Sequence, residues 1–518
     1  MKRASTTPSE FSARALRAEE PQGRAGLIRS SAIRFPGRPA LTVHARLLVL
    51  LFVLTLPLVN PWVRGDGVGY YAYIRALLIE HSLRFENDWK SANPSFALER
   101  VNAYGNIRPD QYTQTGYLVN NFAVGPSMLW APFLVAAHAG VLTLDKLGAH
   151  IPADGFSRPY RVTLALATAA YGFAGLCLAF ALARKYVEEK WAFLATVGIW
   201  FASSLPVYMY FNPSWSHAHS VFGVALFLWY WDRTRGERTP RQWVVLGVLA
   251  GLMIDIYYVN GIVLLVPALE ARAGYAQVLR LPMRRAATLG RLFAAHVLFV
   301  AATLIALLPT FVTRKIIYGS PWKTGYPDVS TWAWTSPALG GVLFSPFHGL
   351  LSWTPIVIPA VLGLFLWRRH DKRMGTYLAL TFLAYYYVIA SRPGWHGLSS
   401  FGNRFFVSLT PLFILGLGVL LERAGERFAR PSRAFLLAAL ATGLLIVWNL
   451  GFIFQWGMHM IPARGPISWR QMAYNQVAIV PARFADALNN YMFRRKDMME
   501  HIEREDVKQL ESAKKKTE

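Results

Sequence analysis

Residues 46–73, RLLVLLFVLTLPLVNPWVRGDGVGYYAY, lead from the first long apolar run of the chain to a carboxylate, Asp66, set among three glycines and three tyrosines. The run follows an Arg-rich polar segment, residues 1–45, and has no small-residue cleavage site, which is typical of a retained signal anchor. We predict that residues 1–45 are a basic, disordered cytoplasmic tail. Because a basic flank stays inside, we expect Asp66 to emerge at the outer surface of a membrane.

The composition is that of a membrane protein. Of the 518 residues, 54% are hydrophobic and only 16% are charged, and repeated apolar segments longer than about 18 residues predict an all-α polytopic membrane protein. The net charge of +25 falls in short connections between apolar segments, so we expect no nucleic acid as a partner. Cys177 is the only cysteine, which excludes intramolecular disulfides and thiolate metal sites.

Eleven apolar segments predict about eleven transmembrane helices, within a range of about 10–13. They span residues 46–63, 118–142, 161–183, 191–210, 217–231, 242–269, 291–312, 350–367, 375–390, 405–421 and 434–455. Two topologies fit this pattern. In the first, 118–142 crosses the membrane and 242–269 is one helix. In the second, 118–142 lies at the outer surface and 242–269 is a hairpin that turns at residues 255–260.

The distribution of Lys and Arg favours the second topology. Five connections with 20 Lys and Arg residues then lie inside: 184–190, 232–242, 270–291, 367–373 and 422–433. The short outer connections carry only five: Arg314, Lys315, Lys323, Arg392 and Arg404. The first topology would export seven of the inner ones, against the positive-inside rule. Each arm of the hairpin is shorter than the ~20 residues of a full crossing, and short helices are tolerated where they line a cavity.

The chain is therefore predicted to have one transmembrane domain, residues 46–455. Its external parts are a long first loop with amphipathic juxtamembrane helices, a second loop and a polar cluster: 64–160, 313–349 and 391–404. Residues 456–518 are predicted to form an interfacial helix followed by a charged tail.

Asp66 has two interpretations. In one, it caps a helix that begins near Val68, and the tyrosines lie at the membrane interface. In the other, it is a general base that takes a proton from a hydroxyl, and the glycines leave room for a substrate. A single carboxylate suffices when the leaving group is a phosphate stabilised by Arg or Lys, whereas a soluble glycosidase uses two.

Several motifs on the outer side resemble those of the GT-C superfamily of integral-membrane glycosyltransferases. They are GDGVGYYAY (65–73), NNFAVGPSMLWAPFLVAAH (120–138), SRPYRVTLALATAAYG (157–172), PSWSHAHS (213–220) and FGNRFF (401–406). Their order is similar to that of the family 39 type, which includes protein O-mannosyltransferases and aminoarabinose transferases. The resemblance covers roughly residues 46–425.

The resemblance implies a GT-C-like fold and an inverting glycosyltransferase. Such an enzyme moves a sugar from a polyprenyl-phosphate donor to a hydroxyl of a lipid, glycan or protein acceptor. The implied location is the cytoplasmic (inner) membrane of a bacterium, with the active site outside, so the donor, the acceptor and membrane lipids are the expected partners. The alternatives are a ligase or polymerase of lipid-linked glycans and a transporter or flippase, although transporters usually show internal repeats.

The resemblance assigns the role of general base to Asp66. The family motif has two adjacent acids where this chain has Gly67, so Glu86 and Asp88 are candidates for a second carboxylate. Either Arg158 or Arg161 matches an arginine at the outer start of the second span.

The donor phosphate needs cations from other parts of the chain. A basic residue that the family often has near position 255 is replaced by Asp255, so Lys323 and Arg404 are the candidates. The other predicted substrate-binding residues are Tyr70, His217, His219, His396 and Asn403.

The two histidines of the PSWSHAHS motif raise the question of a metal. His217 and His219 share a face only if the chain is extended, so we assign them to hydrogen bonds with a sugar or phosphate. No cofactor is predicted. If a divalent cation were used, Asp66 and one of these histidines would be its ligands.

Overall fold

The structure of the protein is a computed structural model that describes residues 41–280, 285–367, 371–462 and 464–515. Within these ranges the chain is helical, with no β-strand beyond two isolated bridges, Val101–Ile107 and Tyr112–Leu118. The predicted all-α fold is confirmed. Residues 1–40 of the predicted tail lie outside the described residues, and residues 43–45 belong to the first helix instead of the tail.

Helices fall into three groups along the chain. The first group is α1 (Val43–Thr55), α2 (Asp66–Arg75), α3 (Glu86–Lys90), α4 (Pro94–Ala97), α5 (Gly125–Lys146), α6 (Arg158–Ala183) and α7 (Glu189–Phe201). The second is α8 (His217–Arg233), α9 (Pro240–Ile256), α10 (Leu265–Val278), α11 (Arg285–Ala306), α12 (Leu308–Tyr318), α13 (Leu339–Phe344) and α14 (Leu350–Trp353). The third is α15 (Val357–Leu366), α16 (Lys372–Ser391), α17 (Thr410–Gly425), α18 (Pro431–Gly457), α19 (Trp469–Tyr474), α20 (Val480–Phe493) and α21 (Arg495–Lys515).

Each of the eleven predicted apolar segments contains a helix. In the described part of the chain, six helices are long and apolar enough to cross a membrane: Gly125–Lys146, Arg158–Ala183, Ala286–Ala306, Lys372–Ser391, Arg404–Gly425 and Pro431–Gly457. Shorter apolar helices span Val43–Leu58 and Val357–Leu366. Helices α7, α8 and α9 have 13, 17 and 17 residues, so several of the predicted spans are shorter than a full crossing.

The connections rich in Lys and Arg meet at one end of the helix bundle. The contacts that join them are Lys185–Asp232 (2.6 Å), Arg235–Asp371 (3.2 Å), Arg238–Glu270 (2.8 Å) and the amide of Glu188 with Glu422 (2.6 Å). His44, in the first turn of α1, lies at the same end beside Glu189. The five connections assigned to one side by charge therefore do share one end. That this end faces the cytoplasm stays a prediction.

The first external loop begins and ends at the opposite end of the bundle. It starts where the Arg64 carbonyl accepts a hydrogen bond from Trp215, just before α8, and it returns at the first residues of α6. Helix α5 runs antiparallel to the first half of α6, because Trp130 bonds Thr168 and His138 bonds Tyr160. Both topologies allow this arrangement, so the placement of residues 118–142 at the outer surface stays a prediction.

The segment 242–269 is a hairpin, as predicted. Helix α9 ends at Ile256, Tyr257 is extended, and a short 3-10 turn, Tyr258–Leu264, leads into α10. The chain then returns to the start of α9, where Glu270 accepts hydrogen bonds from Arg238 (2.8 Å) and Trp231 (2.7 Å). The turn therefore lies at the end of the bundle opposite to the basic connections.

Helices α15 and α17 cross with their backbones in contact. A Cβ atom on Gly363 would lie 1.8 Å from the carbonyl oxygen of Gly416, and one on Gly416 would lie 2.1 Å from that of Ala360. Such glycine crossings let membrane helices approach closely and gain dispersion contacts. This crossing holds α17, and with it the segment just before α17, in place.

The crossing predicts that Gly416→Ala destabilises the protein. The added methyl group meets backbone atoms that cannot rotate away, and overpacking of this kind costs about 1–3 kcal/mol. The check is the midpoint of thermal unfolding in detergent. The matched control is Gly443→Ala in α18, where a Cβ would meet nothing within 4 Å. Equal midpoints for the two variants would show that the crossing is looser than described.

Candidate active site

A cavity of about 780 Å³ lies at the end of the bundle where the first external loop begins. One part of its wall is polar and is formed by Asp66, Tyr70, His217, Tyr257, Arg392 and Arg404. The other part is an apolar slot between α18, α20 and α21, formed by Ile453, Phe454, Phe484, Leu488, Met498 and Ile502. The cavity thus joins a charged pocket to an apolar channel.

Asp66 occupies the first turn of α2, after a turn that needs glycine. Gly65, the N-cap, has φ +53° and donates its N–H to Asn93 (3.1 Å). A Cβ atom on Gly67 would lie 2.0 Å from the Ser214 hydroxyl, and one on Gly69 would lie 1.9 Å from the Phe122 ring. These two glycines therefore admit neighbouring parts of the protein, not a substrate as the sequence suggested.

The three tyrosines of the motif are buried in the protein. Tyr70, Tyr71 and Tyr73 are 3%, 3% and 0% exposed, and they belong to a second hydrophobic core formed by α2, α5 and the start of α6. The interpretation that they lie at the membrane interface is wrong. Gly65 is the N-cap of α2, so Asp66 is the first residue of the helix instead of its cap, and Asp66 lines the cavity.

The partner of Asp66 is Arg404. Its Nη1 donates to Asp66 Oδ2 at 2.5 Å, and its guanidinium lies 4.5 Å from the centre of the Trp215 ring. Trp215 in turn donates its indole N–H to the Arg64 carbonyl (2.9 Å). Cation–π contact and ion pairing together fix the direction of the guanidinium. Asp66 keeps 30% of its side chain exposed, so it remains open to a molecule in the cavity.

Arg392 is a second cation of the cavity that the sequence did not assign to the site. Its guanidinium lies 4.5 Å from the Phe405 ring and 5.6 Å from the Tyr326 ring. Among the described residues no carboxylate lies within ion-pair distance of it. A half-buried cation with no carboxylate beside it is suited to bind an anion. The signal was present, since Arg392 begins the polar cluster 391–404.

Four of the predicted site residues line this one cavity: Asp66, Tyr70, His217 and Arg404. Tyr70 accepts a hydrogen bond from Ser216 (3.0 Å). His217 is only 3% exposed, and its Nδ1 has no hydrogen-bond partner among the described residues.

The other predicted substrate-binding residues are not on its wall. Arg158 and Lys323 are exposed. His219 is buried between the rings of Trp130 and Tyr171. His396 stacks on Phe347 at 4.1 Å, and Asn403 donates to the Trp395 carbonyl (3.3 Å). These residues belong to the same segments of the chain as the site or to neighbouring ones, but their side chains do not line the cavity.

The second carboxylate proposed from the sequence is not found beside Asp66. Glu86 lies outside the cavity, and Asp88 is buried in a bidentate pair with Arg75, with both distances 2.6 Å. Arg161 lines a separate cavity of about 200 Å³, into which Asp88 also faces. Asp88 therefore has a structural partner of its own.

Arg314 is a buried cation beside the 255–260 hairpin. It is 1% exposed and donates to the carbonyl oxygens of Asn120 and Phe122 and to the Tyr258 hydroxyl. It does not line the cavity. Arg314 thus ties the hairpin to the segment just before α5.

The C-terminal helices form one wall of the cavity, and α21 is not a free charged tail. Asp506 bonds both Arg64 and His459, and Glu503 accepts from Asn93 (2.7 Å) and from the amide of residue 95 (2.6 Å). Burial opposes the charge of Asp506, but His459 and Arg64 outweigh it and lower the pKa of Asp506. The apolar face of α21 at positions 498, 499 and 502 lies in the slot, and that spacing was the available signal.

The cavity offers few ligands for the divalent metal ion that the sequence analysis considered. Within the described residues no group of three or more His, Cys, Asp or Glu side chains could hold a metal ion. Asp66 has the Arg404 guanidinium beside it, where a metal ion would need further ligands.

The helices and the cavity define an integral membrane protein with a half-buried ion pair at the head of an apolar slot. No family model and no curated protein matches the chain. Among solved structures it is similar to the archaeal oligosaccharyltransferase AglB from Archaeoglobus fulgidus, in complex with an inhibitory peptide and a dolichol-phosphate. The identity is 14% and the TM-score 0.46, over 85% of this chain and 54% of AglB, so the chain spans about half the length of that protein.

A second similar structure is ArnT from Cupriavidus metallidurans. Its form bound to undecaprenyl phosphate matches with 14% identity and a TM-score of 0.43, over 79% of this chain and 70% of ArnT. Its apo form matches with 15% identity and the same TM-score, over 79% and 71%.

The buried pair predicts that Asp88→Ala acts on stability. Removing one partner leaves Arg75, which is 2% exposed, without its bidentate acceptor, and breaking a buried pair costs about 3–5 kcal/mol. The check is thermal unfolding in detergent, compared with Asp110→Ala, which breaks the exposed pair with Arg108 and should change the midpoint little. An unchanged midpoint for Asp88→Ala would contradict the structural role.

Proposed function

We propose that this protein is a GT-C-type glycosyltransferase that moves a sugar from a polyprenyl-phosphate donor to a hydroxyl group of an acceptor at the outer face of the membrane. The observation that carries the proposal is the joining of one carboxylate and two cations to an apolar slot. A base, an anion site and a lipid channel are the three parts that such a reaction needs, and all three lie on one cavity wall.

Asp66 is the general base. Its carboxylate is at the head of the cavity, partly exposed, and paired with Arg404. An acceptor hydroxyl that approaches from the open side gives its proton to Asp66 as its oxygen attacks the anomeric carbon. Since no second carboxylate is needed to protonate a phosphate leaving group, one acid is sufficient.

Arg392 and Arg404 stabilise the leaving phosphate. As the new bond from the acceptor oxygen to the anomeric carbon forms, the bond from that carbon to the phosphate oxygen breaks, and the electron pair stays on the phosphate. Negative charge grows there in the transition state, and guanidinium groups already in place stabilise it without reorganisation. Attack from the side opposite to the phosphate inverts the anomeric centre.

The apolar slot takes the polyprenyl chain. Its walls are residues of α18, α20 and α21, with Phe454, Phe484 and Leu488 among them. An isoprenoid chain has no hydrogen-bonding groups, so the slot stabilises it through apolar burial at about 25 cal/mol per Å². We expect the slot to open toward lipid, because α20 and α21 belong to residues 456–518, which the sequence predicts to lie at the membrane interface.

Transport is the less favoured function. A transporter needs a path that can open to both ends of the bundle, whereas the residues that line this cavity belong to the end with Asp66. The opposite end carries the Lys185–Asp232 and Arg238–Glu270 pairs.

Asp66→Asn is expected to lower the rate of sugar transfer by at least about 100-fold, because it removes the base and keeps the shape. The measurement is turnover by the purified protein with labelled polyprenyl-phosphate sugars and a membrane extract as the source of acceptor. The matched control is Asp110→Asn, which alters a carboxylate that is also paired with an arginine but lies outside the cavity. Wild-type turnover by Asp66→Asn would refute the assignment of the base.

Arg392→Ala is expected to weaken binding of polyprenyl phosphate by about tenfold or more, because a hydrogen bond to a charged group is worth about 1.5–3 kcal/mol. Binding is measured by titration of the purified protein in detergent. Lys323→Ala is the control, since Lys323 was the sequence candidate for the phosphate but is exposed and off the cavity wall. Loss of affinity for polyprenyl phosphate in Lys323→Ala alone would assign the phosphate contact to Lys323 and remove it from Arg392.

A further inference from the structure

Two buried polar groups on side chains of the cavity wall have hydrogen-bonding capacity left over. Nδ1 of His217 has no hydrogen-bond partner among the described residues, and the Tyr257 hydroxyl, which lies within hydrogen-bonding reach of the Arg392 guanidinium, has no acceptor there for its own proton. The side chains are 3% and 8% exposed, and both line the cavity wall. A buried polar atom left unpaired costs about 1–3 kcal/mol. Two of them side by side, with ring centres 5.8 Å apart, indicate a place that a ligand completes.

This pair lies next to the charged groups of the site. The His217 ring is 6.2 Å from the Trp215 ring, on which the Arg404 guanidinium rests. Arg392 and Arg404 both act electrostatically on the Tyr257 hydroxyl, and so does Asp66. A group bound here is therefore close to the base and to the phosphate cations, which is where the sugar of a donor has to lie.

The described cavity wall carries more cations than carboxylates. Its charged residues are five arginines, Arg64, Arg100, Arg392, Arg404 and Arg464, and three carboxylates, Asp66, Glu99 and Asp506, so the wall stays cationic after a phosphodiester adds its single negative charge. The other carboxylates on the cavity wall are already paired, Glu99 with Arg464 (3.4 Å) and Asp506 with Arg64. An ammonium group on the sugar would be buried beside two cations with no free carboxylate, which is costly.

We propose that His217 and Tyr257 form the sugar pocket and that it selects a sugar whose ring carries hydroxyl groups and no ammonium group. This rests on the proposed function of the cavity. An imidazole nitrogen and a phenol each donate to or accept from a hydroxyl, so an uncharged sugar ring satisfies both orphan atoms. An amino sugar can satisfy them only by bringing its positive charge into a pocket that is already cationic.

The test is a comparison of binding by the full-length protein in detergent. The ligands are bare polyprenyl phosphate, a polyprenyl-phosphate hexose and a polyprenyl-phosphate amino sugar. Wild-type protein should bind the hexose lipid about tenfold more tightly than the bare lipid, as one or two added hydrogen bonds provide. It should bind the amino-sugar lipid no more tightly than the bare lipid. Tighter binding of the amino-sugar lipid than of the hexose lipid would overturn the proposal.

A pair of tyrosine variants separates the sugar pocket from the rest of the cavity. Tyr257→Phe should lose the tenfold preference for the hexose lipid and keep its affinity for the bare lipid. Tyr491→Phe is the control, because Tyr491 is also 8% exposed and on the cavity wall, but its hydroxyl already donates to the Leu58 carbonyl. It should keep the preference. An unchanged preference in Tyr257→Phe would remove Tyr257 from the pocket.

Transfer assays with the same lipids distinguish a wrong sugar class from a wrong proposed function. Transfer of the amino sugar in preference to the hexose would leave the glycosyltransferase proposal standing and refute the sugar class. Absence of transfer from every donor by a protein that binds the lipids would refute the proposed function. The wild-type comparison needs no variant, so a folding defect in Tyr257→Phe does not remove the test.

Discussion

The ion pair between Asp66 and Arg404 joins two parts of the chain that are 338 residues apart. Half-buried charges are stable only when they are paired or well solvated, so neither residue could hold its place alone. The pair fixes the start of α2 against the segment that precedes α17. Trp215 lies beneath the guanidinium and bonds the Arg64 carbonyl, which brings the region just before α8 to the same point.

In the proposed mechanism, the Asp66 carboxylate and the donor phosphate compete for the guanidinium of Arg404. Without a donor, its guanidinium neutralises Asp66. When a phosphate enters the cavity, the same guanidinium is shared, and its hold on the carboxylate weakens. The carboxylate is then freer to accept a hydrogen bond from the acceptor hydroxyl. Arg392, which has no carboxylate of its own within the described residues, supplies the positive charge that the shared arrangement would otherwise lack.

The sequence predicted the framework better than the site. Eleven apolar segments, the shared end of the basic connections and the hairpin near Tyr257 follow from hydropathy and from charge placement. Asp66 and Arg404 could be predicted because their motifs combine charged, aromatic and glycine residues, a composition that is unusual for a segment that only connects two helices. Position within a loop does not tell which way a side chain points, and so Lys323 was chosen over Arg392. In α21 the charged residues outnumber the apolar ones, which hid the three apolar positions that reach the slot.

The C-terminal helix links the apolar slot to the charged pocket. Arg64 is two residues from Asp66 and bonds Asp506 of α21, and the same helix carries Met498 and Ile502 into the slot. Any movement of α21 away from the slot must break the Arg64 contact, because one helix carries both surfaces. The turn at Gly65 lies between Arg64 and the base, with φ in a region that few other residues adopt. The position of the base is therefore set from both sides, by Arg404 within the cavity and by the helix that closes the lipid slot.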